Sequence, residues 1–125
     1  QYELSLLVEA RTALEVAQTM VVPAATRYQG ELASAASAVR AVGLEPDITL
    51  LGRVTSTLGA LNVATAALAD AIEHESGTSL EAARHSHATL VPAMAAVRAA
   101  VDELETIVAD DLWPLPTYQE MMFIL

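Results

Sequence analysis

The stretch that decides the fold is LGRVTSTLGALNVATAALADAI, residues 51–72. Two interleaved series of mostly apolar residues run through it, each repeating every seven positions: Leu51, Leu58, Thr65 and Ile72, with Val54, Leu61 and Leu68. Because these positions are separated by three and four residues in turn, they share one side of an α-helix. The pattern is typical of a helix packed along a neighbouring helix. It predicts a long helix over residues 47–76.

The same repeat continues on both sides of this helix. Residues 79–110 carry two such series, with His87 at one of the positions expected to be buried. Residues 2–42 carry a softer version in which one series is mainly alanine. Small side chains at those positions would let a neighbouring helix approach closely. We therefore predict three long helices, over residues 2–42, 47–76 and 79–110.

The breaks between the predicted helices carry recognisable end signals. Gly43 can take the left-handed conformation that ends a helix, and Asp47 can cap the start of the next one. Gly77 is predicted to end the second helix. Thr78 and Glu81 have the spacing of a capping box and are predicted to open the third. The connections between the helices are therefore short.

Composition and loop length together predict the architecture. Of the 125 residues 25 are alanine and only 4% are aromatic, which favours helices over sheets. Short connections make long helices antiparallel neighbours, so the predicted fold class is all-α, an up-down-up bundle of three long helices. Pro23 and Pro92 fall inside the first and third helices and are predicted to kink them. Similar short sequences surround both prolines. The similarity is either a coincidence or the sign of two matched bends that wrap the bundle around another domain.

The charge balance excludes several classes of function. Sixteen acidic residues face six arginines and no lysine, for a formal net charge of −10, which disfavours a nucleic-acid interface. The absence of lysine excludes a P-loop and a Schiff base, and the absence of cysteine excludes thiolate chemistry and disulfides. No apolar run reaches the ~18 residues of a membrane span, and no secretion signal is present. We expect a cytoplasmic protein without nucleic-acid or membrane partners.

Three histidines, His74, His85 and His87, lie near the second predicted connection. His85 and His87 are two residues apart on a helix, about 200° around its axis, so they cannot grip one metal ion together. A phosphorelay histidine is a second possibility, but Pro92 follows the histidines where such domains carry small residues and lysine. For His87 the ordinary outcome is a hydrogen-bonded side chain in the core. We predict no metal site here.

Acidic residues gather at the end of the third predicted helix: Asp102, Glu103, Glu105, Asp110 and Asp111. Paired carboxylates catalyse acid–base chemistry only in a cleft that perturbs them, and a solvated helix face is the simpler interpretation. They stand at the unfavourable end of the helix dipole, which suggests a cationic partner. The sequence therefore predicts no catalytic, cofactor-binding or metal-binding residue in this chain.

The last fifteen residues, 111–125, form a tail of different character. They contain the only Trp, the only Phe and two of the four Met residues, and closely spaced prolines keep the first part extended. Such an apolar segment should dock on another surface rather than stay in water. The predicted docking residues are Trp113, Pro114, Pro116, Tyr118, Met121, Met122 and Phe123.

Three short sequence motifs in the chain together resemble one known family. They are VEART followed by VPAATRY (residues 8–12 and 22–28), LVPAM followed by Arg98 and VDELE (residues 90–105), and LWPLPTY (residues 112–118). The chain is similar in these motifs to the C-terminal helical region of type III glutamine synthetases. The resemblance covers nearly the whole chain and is weakest in the second helix. The absence of lysine departs from typical members of the family.

The resemblance implies an origin in an ATP-dependent ligase that joins ammonia to glutamate. In that family ATP and the Mg or Mn ions bind upstream parts of the enzyme, so no such residue is carried over to this chain. It implies a single, non-catalytic helical domain over residues 1–125 with a packing or oligomerisation role. Its partners would be the catalytic core of the parent chain and neighbouring subunits of a homo-oligomer. The first residues lack a Met and a helix cap, as expected of a piece of a longer enzyme. The alternative is a free-standing acidic helical-bundle interaction module.

Overall fold

The computed structural model describes residues 2–75 and 80–116 of the chain, and within these ranges the regular structure is entirely helical. Five consecutive elements are present: α1 (Tyr2–Val16), a π-helical segment (Ala17–Val21), α2 (Val22–Ala41), α3 (Thr49–Glu73) and α4 (Leu80–Glu105). The first three elements follow one another without a break. They make one long helix, so the described chain has three long helices, and the all-α prediction is confirmed.

The π-helical segment lies directly before Pro23. Proline has no N–H to donate to the carbonyl four residues earlier, and its ring clashes with that carbonyl in a regular α-helix. The chain takes a wider turn here, in which the Val22 N–H bonds the Ala17 carbonyl five residues earlier. Pro92 has no such turn before it and lies within the continuous α-helix α4. The predicted kinks at these two prolines stay predictions.

The first connection contains the predicted end signals. Gly43 has a φ of 88°, in the left-handed region. Its N–H bonds the Arg40 carbonyl over 3.0 Å, and the Leu44 N–H bonds the Val39 carbonyl over 3.2 Å. These two bonds form a Schellman motif, which satisfies carbonyls that the end of α2 leaves free. The helix-ending role of Gly43 is confirmed.

The start of α3 depends on Asp47. Its carboxylate accepts the Thr49 N–H over 2.9 Å and the Thr49 hydroxyl over 2.7 Å. These bonds lower the pKa of the Asp47 carboxyl, the hydroxyl having the larger effect. Asp47 therefore caps the helix from outside it, and α3 begins two residues later than predicted. At the other end the helix stops at Glu73, because the Glu75 N–H bonds only three residues back, to the Ile72 carbonyl.

Helix α4 ends at Glu105, five residues before the predicted end at 110. The Thr106 hydroxyl bonds the Glu103 carbonyl over 2.7 Å, and the Ile107 N–H bonds the Leu104 carbonyl over 3.0 Å. These bonds reach three residues back, so the chain tightens into a turn. The predicted signals at Gly77 and Thr78, in the second connection, lie outside the described residues.

The core follows the seven-residue series. In α3 the members Val54, Leu61 and Leu68 are fully buried. Among the other buried core positions are Leu6, Ala10, Ala17, Val21, Ala24, Ala25, Leu90, Val97 and Leu104, from α1, the π-helical segment, α2 and α4. The predicted packing faces are confirmed for the members of the series in this list: Ala10, Ala17, Val21, Ala24, Leu90, Val97 and Leu104. Near the end of α2 the prediction was wrong, because Ala35, Ala38 and Val42 belong to the series and are exposed.

His87 in α4 also departs from the pattern, since its side chain is exposed rather than in the core. The prediction of a core histidine was wrong. Burying an imidazole requires a hydrogen-bonding partner to replace the water it loses, and its position near the start of α4 keeps it in water.

Candidate docking site

After the end of α4 the chain stays on the surface of the bundle. Ile107, Val108 and Trp113 are buried in the hydrophobic core, and Leu112 and Leu115 pack against it while half-buried. The turn that carries them is held by backbone bonds, among them two to the carbonyl of residue 109 from the N–H groups of residues 112 and 113. The first part of the tail is therefore packed against the chain's own helices.

Trp113 is the largest side chain in this part of the core and is only 9% exposed. Its indole Nε1–H is buried and has no acceptor among the described residues. A buried donor without a partner costs about 1–3 kcal/mol. The burial of Trp113 is therefore driven by its apolar rings and opposed by its N–H.

The other predicted docking residues divide into two groups. Pro114 is half-buried and Pro116 is exposed. The remaining four lie outside the described residues: Tyr118, Met121, Met122 and Phe123. The structure therefore brings Trp113 and Pro114 to the bundle, and their role as an interface stays a prediction.

Two polar contacts fix the levels at which the helices meet. Gln29 Nε2 on α2 donates to Thr55 Oγ1 on α3 over 3.0 Å. Arg53 on α3 meets Glu103 on α4 over 3.4 Å. Because Arg53 precedes Thr55 by two residues, Glu103 lies near the level of residue 31 on α2. Helix α4 ends two residues beyond that level, whereas α2 continues ten residues beyond it, about 15 Å at 1.5 Å per residue. The last turns of α2 and the start of α3 therefore extend past the end of α4.

We call this projecting part, residues 32–51, the hairpin end. Three large apolar side chains are strongly exposed on it: Val42 at 74%, Leu44 at 65% and Ile48 at 48%. Between the two helices runs a groove of about 270 Å³. Its lining is almost wholly apolar: Leu32, Ala35, Ala36, Val39, Pro46, Asp47, Ile48, Leu50 and Leu51. The only charged group in the lining is the Asp47 carboxylate, which is already bonded to Thr49.

This surface was not predicted from the sequence. Its signals were present, because apolar residues continue through the connection at Val42, Leu44 and Ile48. The sequence does not show how far one helix is shifted along its axis relative to its neighbour. That shift depends on contacts such as Gln29 with Thr55, which no periodicity reports.

Two other grooves lie elsewhere on the bundle. One, of about 500 Å³, runs between α1 and α4 and is lined by apolar residues such as Val16, Met94 and Val97. Its edge carries Arg98 and Asp102, whose charged groups are 3.9 Å apart. The other, of about 370 Å³, is bordered by charged side chains of α1 and by Glu73 of α3. Both grooves are more polar at their edges than the groove of the hairpin end.

The histidines do not assemble into a site in the described residues. His74 Nδ1 donates to the Asp70 carbonyl over 2.8 Å. This bond, with the nearby Asp70 carboxylate, raises the pKa of His74 above its usual value. His87 is exposed, and nothing is described of the His85 side chain. No group of three metal-ligating side chains lies within the described ranges.

The acidic cluster forms a mostly solvated face. Asp102, Glu103, Asp110 and Asp111 are exposed, and Glu105 is half-buried. Arg53 supplies one cation to this face through Glu103. Within the parts of the chain that the structure describes, none of the helices combines the length and apolarity needed to cross a membrane.

The described part of the fold is all-helical and leaves apolar surface uncovered, and no group of metal-ligating side chains is seen in it. A family model described as the glutamine synthetase C-terminal domain matches residues 1–40. The chain is 28% identical over 136 residues to the "Type-3 glutamine synthetase" of Dictyostelium discoideum, and 23% identical over 133 residues to the "Glutamine synthetase" of Bacteroides fragilis. These matches confirm the resemblance to the C-terminal region of type III glutamine synthetases.

Each alignment covers 98% of this chain but only 18% of the relative. The chain therefore spans less than a fifth of the length of these two curated relatives. No solved structure matches it.

Proposed function

We propose that the chain is the non-catalytic C-terminal helical part of a type III glutamine synthetase, with a role in packing or oligomerisation. The observation that carries the proposal is the coverage of the alignments, 98% of this chain within 18% of each relative. A helical chain that aligns along its whole length with a small part of a long enzyme corresponds to one structural region of that enzyme. The resemblance supports the proposal that the reaction chemistry lies in other parts of the enzyme.

The activity of the whole protein is part of the same proposal. It would be the ATP-dependent ligation of ammonia to glutamate, with ATP and Mg or Mn bound by residues outside this chain. A cytoplasmic location follows from that assignment. Both statements rest on the names of the relatives and on the family model that matches residues 1–40.

The proposed partners are the catalytic core of the parent chain and neighbouring subunits of a homo-oligomer. Exposed apolar side chains on three different helices support this: Val8 on α1, Val63 on α3 and Val91 on α4. Apolar groups on several faces are covered when a helical region is enclosed in a larger assembly. The net charge of −10 disfavours nucleic acid as a partner.

The proposed architecture is up-down-up, with bends near Pro23 and Pro92. Gln29 on the first long helix meets Thr55 on the second, while a groove farther along is bordered by both Glu15 and Glu73. Residue numbers thus increase along the first helix in the direction in which they decrease along the second, which supports an antiparallel pair. A π-helical turn is one cause of helix kinks, and the segment before Pro23 supports a bend there.

The acidic surface favours a second candidate, a free-standing interaction module. Its exposed carboxylates, among them Asp102 and Asp110, would meet a basic partner. The two candidates differ in their gene structure. An upstream reading frame that encodes the rest of a glutamine synthetase supports the first, and an independent start directly before this segment supports the second.

The proposal of a non-catalytic role is tested by an assay of the purified chain. We expect no ATP- and glutamate-dependent formation of glutamine from ammonia at any Mg²⁺ or Mn²⁺ concentration. An intact type III glutamine synthetase in the same assay is the positive control. Steady turnover by the purified 125 residues would overturn the assignment.

A further inference from the structure

We propose that the apolar run MMFIL, residues 121–125, folds back and occupies the groove of the hairpin end in the same chain. The five residues lie outside the described part of the structure. The inference is independent of the proposed function, because it concerns how this chain covers its own apolar surface.

The first argument is that the groove is uncovered within the described part of the chain. Helices α2 and α3 continue past the level at which Glu103 meets Arg53, but α4 stops at Glu105. The lining of the groove comes from residues 32–51 alone, and neither α4 nor the core-packed residues 106–116 contribute to it.

The second argument is the chemistry of the groove. Leu32, Val39, Leu50 and Leu51 line it, and Ile48 reaches both the groove and the exposed surface. Asp47 is the one charged residue of the lining, and its carboxylate accepts two hydrogen bonds from Thr49. Burial of an aliphatic or aromatic side chain is the favourable interaction that such a lining offers. The terminal run consists of five apolar residues, two of them flexible Met side chains that adapt to irregular gaps.

The third argument is the path of the tail. Beyond Glu105 the chain remains packed on the core through Ile107, Trp113 and Leu115, and its last described residue is Pro116. Nine residues follow Pro116, and an extended chain of nine residues reaches about 30 Å. Met121, the first residue of the run, is five residues beyond Pro116, about 17 Å of extended chain, which is comparable to the length of about 15 Å of residues 32–41 of α2.

Two alternatives are less favourable: binding of the run in another groove of the same chain, and binding of the run of a second copy. The groove between α1 and α4 has Arg98 and Asp102 at its edge and lies on the other side of Glu103 from the hairpin end. A second copy could present the same apolar run. The run of the same chain has the advantage of a short tether, which gives an effective concentration in the millimolar range.

The test uses the four Met methyl groups of the full chain as reporters. Chains with ¹³C-labelled Met methyls carry a nitroxide at Ala38→Cys, an exposed position beside the groove; the natural chain has no cysteine to interfere. Met121 and Met122 should lose most of their signal intensity, and reduction of the nitroxide should restore it. Met20 should keep its signal, because it is about 27 Å away along the helix.

Ala96→Cys provides the matched control, since it is also an exposed helical alanine but lies near Met94 in the other groove. From this position Met94 should lose intensity, while Met121 and Met122 should keep theirs. Retained signals of Met121 and Met122 in both variants would overturn the proposal, and so would selective loss from Ala96→Cys. Binding of the run of a second copy is tested by mixing unlabelled chains that carry the nitroxide with ¹³C-labelled chains that do not. Loss of the Met121 and Met122 signals in this mixture would overturn the proposal, because the groove would then be occupied by a second copy.

Discussion

Trp113 offers a sharp test of how the tail is held, because its two chemical parts act in opposite directions. Its rings are buried with only 9% of the residue exposed, and its Nε1–H is buried without an acceptor among the described residues. Truncation of a buried Trp to Ala typically costs about 3–5 kcal/mol. Trp113→Phe keeps an aromatic ring and removes the unpaired donor, whose burial costs about 1–3 kcal/mol. We therefore expect Trp113→Phe to change stability by less than about 1 kcal/mol.

These energies convert into measurable shifts. At about 2.1 cal/mol/K per residue the unfolding entropy of this chain is about 0.26 kcal/mol/K, so 1 kcal/mol corresponds to about 4 °C in Tm. Trp113→Ala should then lower Tm by about 11–19 °C. The measurement is thermal unfolding followed by far-UV circular dichroism, which does not depend on the Trp signal. Pro116→Ala is the control in the same tail, since Pro116 is exposed.

Two results would refute this account. Equal losses for Trp113→Phe and Trp113→Ala would show that the indole N–H has an acceptor. A Trp113→Ala variant as stable as the natural chain would show that the tail contributes nothing to the fold.

Three further predictions concern the helices. Leu61→Ala, at a fully buried position, should cost about 2–5 kcal/mol in urea unfolding, whereas Val63→Ala, 72% exposed on the same helix, should stay within about 0.5 kcal/mol; equal effects would contradict the packing face. Gly43→Ala should destabilise by roughly 1–2 kcal/mol because of its left-handed φ, while Gly59→Ala in the middle of α3 should stabilise; the opposite order would contradict the Schellman turn. The raised pKa of His74 stabilises the fold below the unfolded-state pKa, and this contribution is lost as pH rises through the folded-state value; His74→Gln should flatten that part of the stability profile, and an unchanged profile would refute the role.

The packing faces could be predicted from the sequence because they depend on local spacing. Leu58, Leu61 and Leu68 are buried as their seven-residue spacing indicates. The turn at Gly43 was also predictable, since left-handed backbone at a helix end strongly favours glycine. In both cases the physical cause lies within a few residues of the feature.

The features that the sequence did not predict depend on distant contacts. The π-helical segment before Pro23 is one of several ways to absorb a proline, and the choice depends on the packing around Ala17 and Val21. The exposed groove follows from where α4 ends relative to α2. Neither feature has a signature in the spacing of apolar residues.

The packing of the tail, rather than the charge of the acidic cluster, gives a physical reason for the early end of α4. Carboxylates near a helix C-terminus oppose the helix dipole by about 0.3–1 kcal/mol each. A helix that continued to residue 110 would have Asp110 in its last turn, whereas the helix that ends at Glu105 has Asp102, Glu103 and Glu105 there. The exposed pair of Arg53 and Glu103 offsets at most about 1 kcal/mol of this, as surface ion pairs do. Ending the helix at Glu105 does not relieve this repulsion, but it lets the chain turn so that Ile107, Val108 and Trp113 enter the core. Replacing Asp110 and Asp111 together by Asn should therefore leave the helical circular dichroism signal unchanged, because packing of the tail sets the helix end. A clear increase of the signal would show instead that the two charges end the helix.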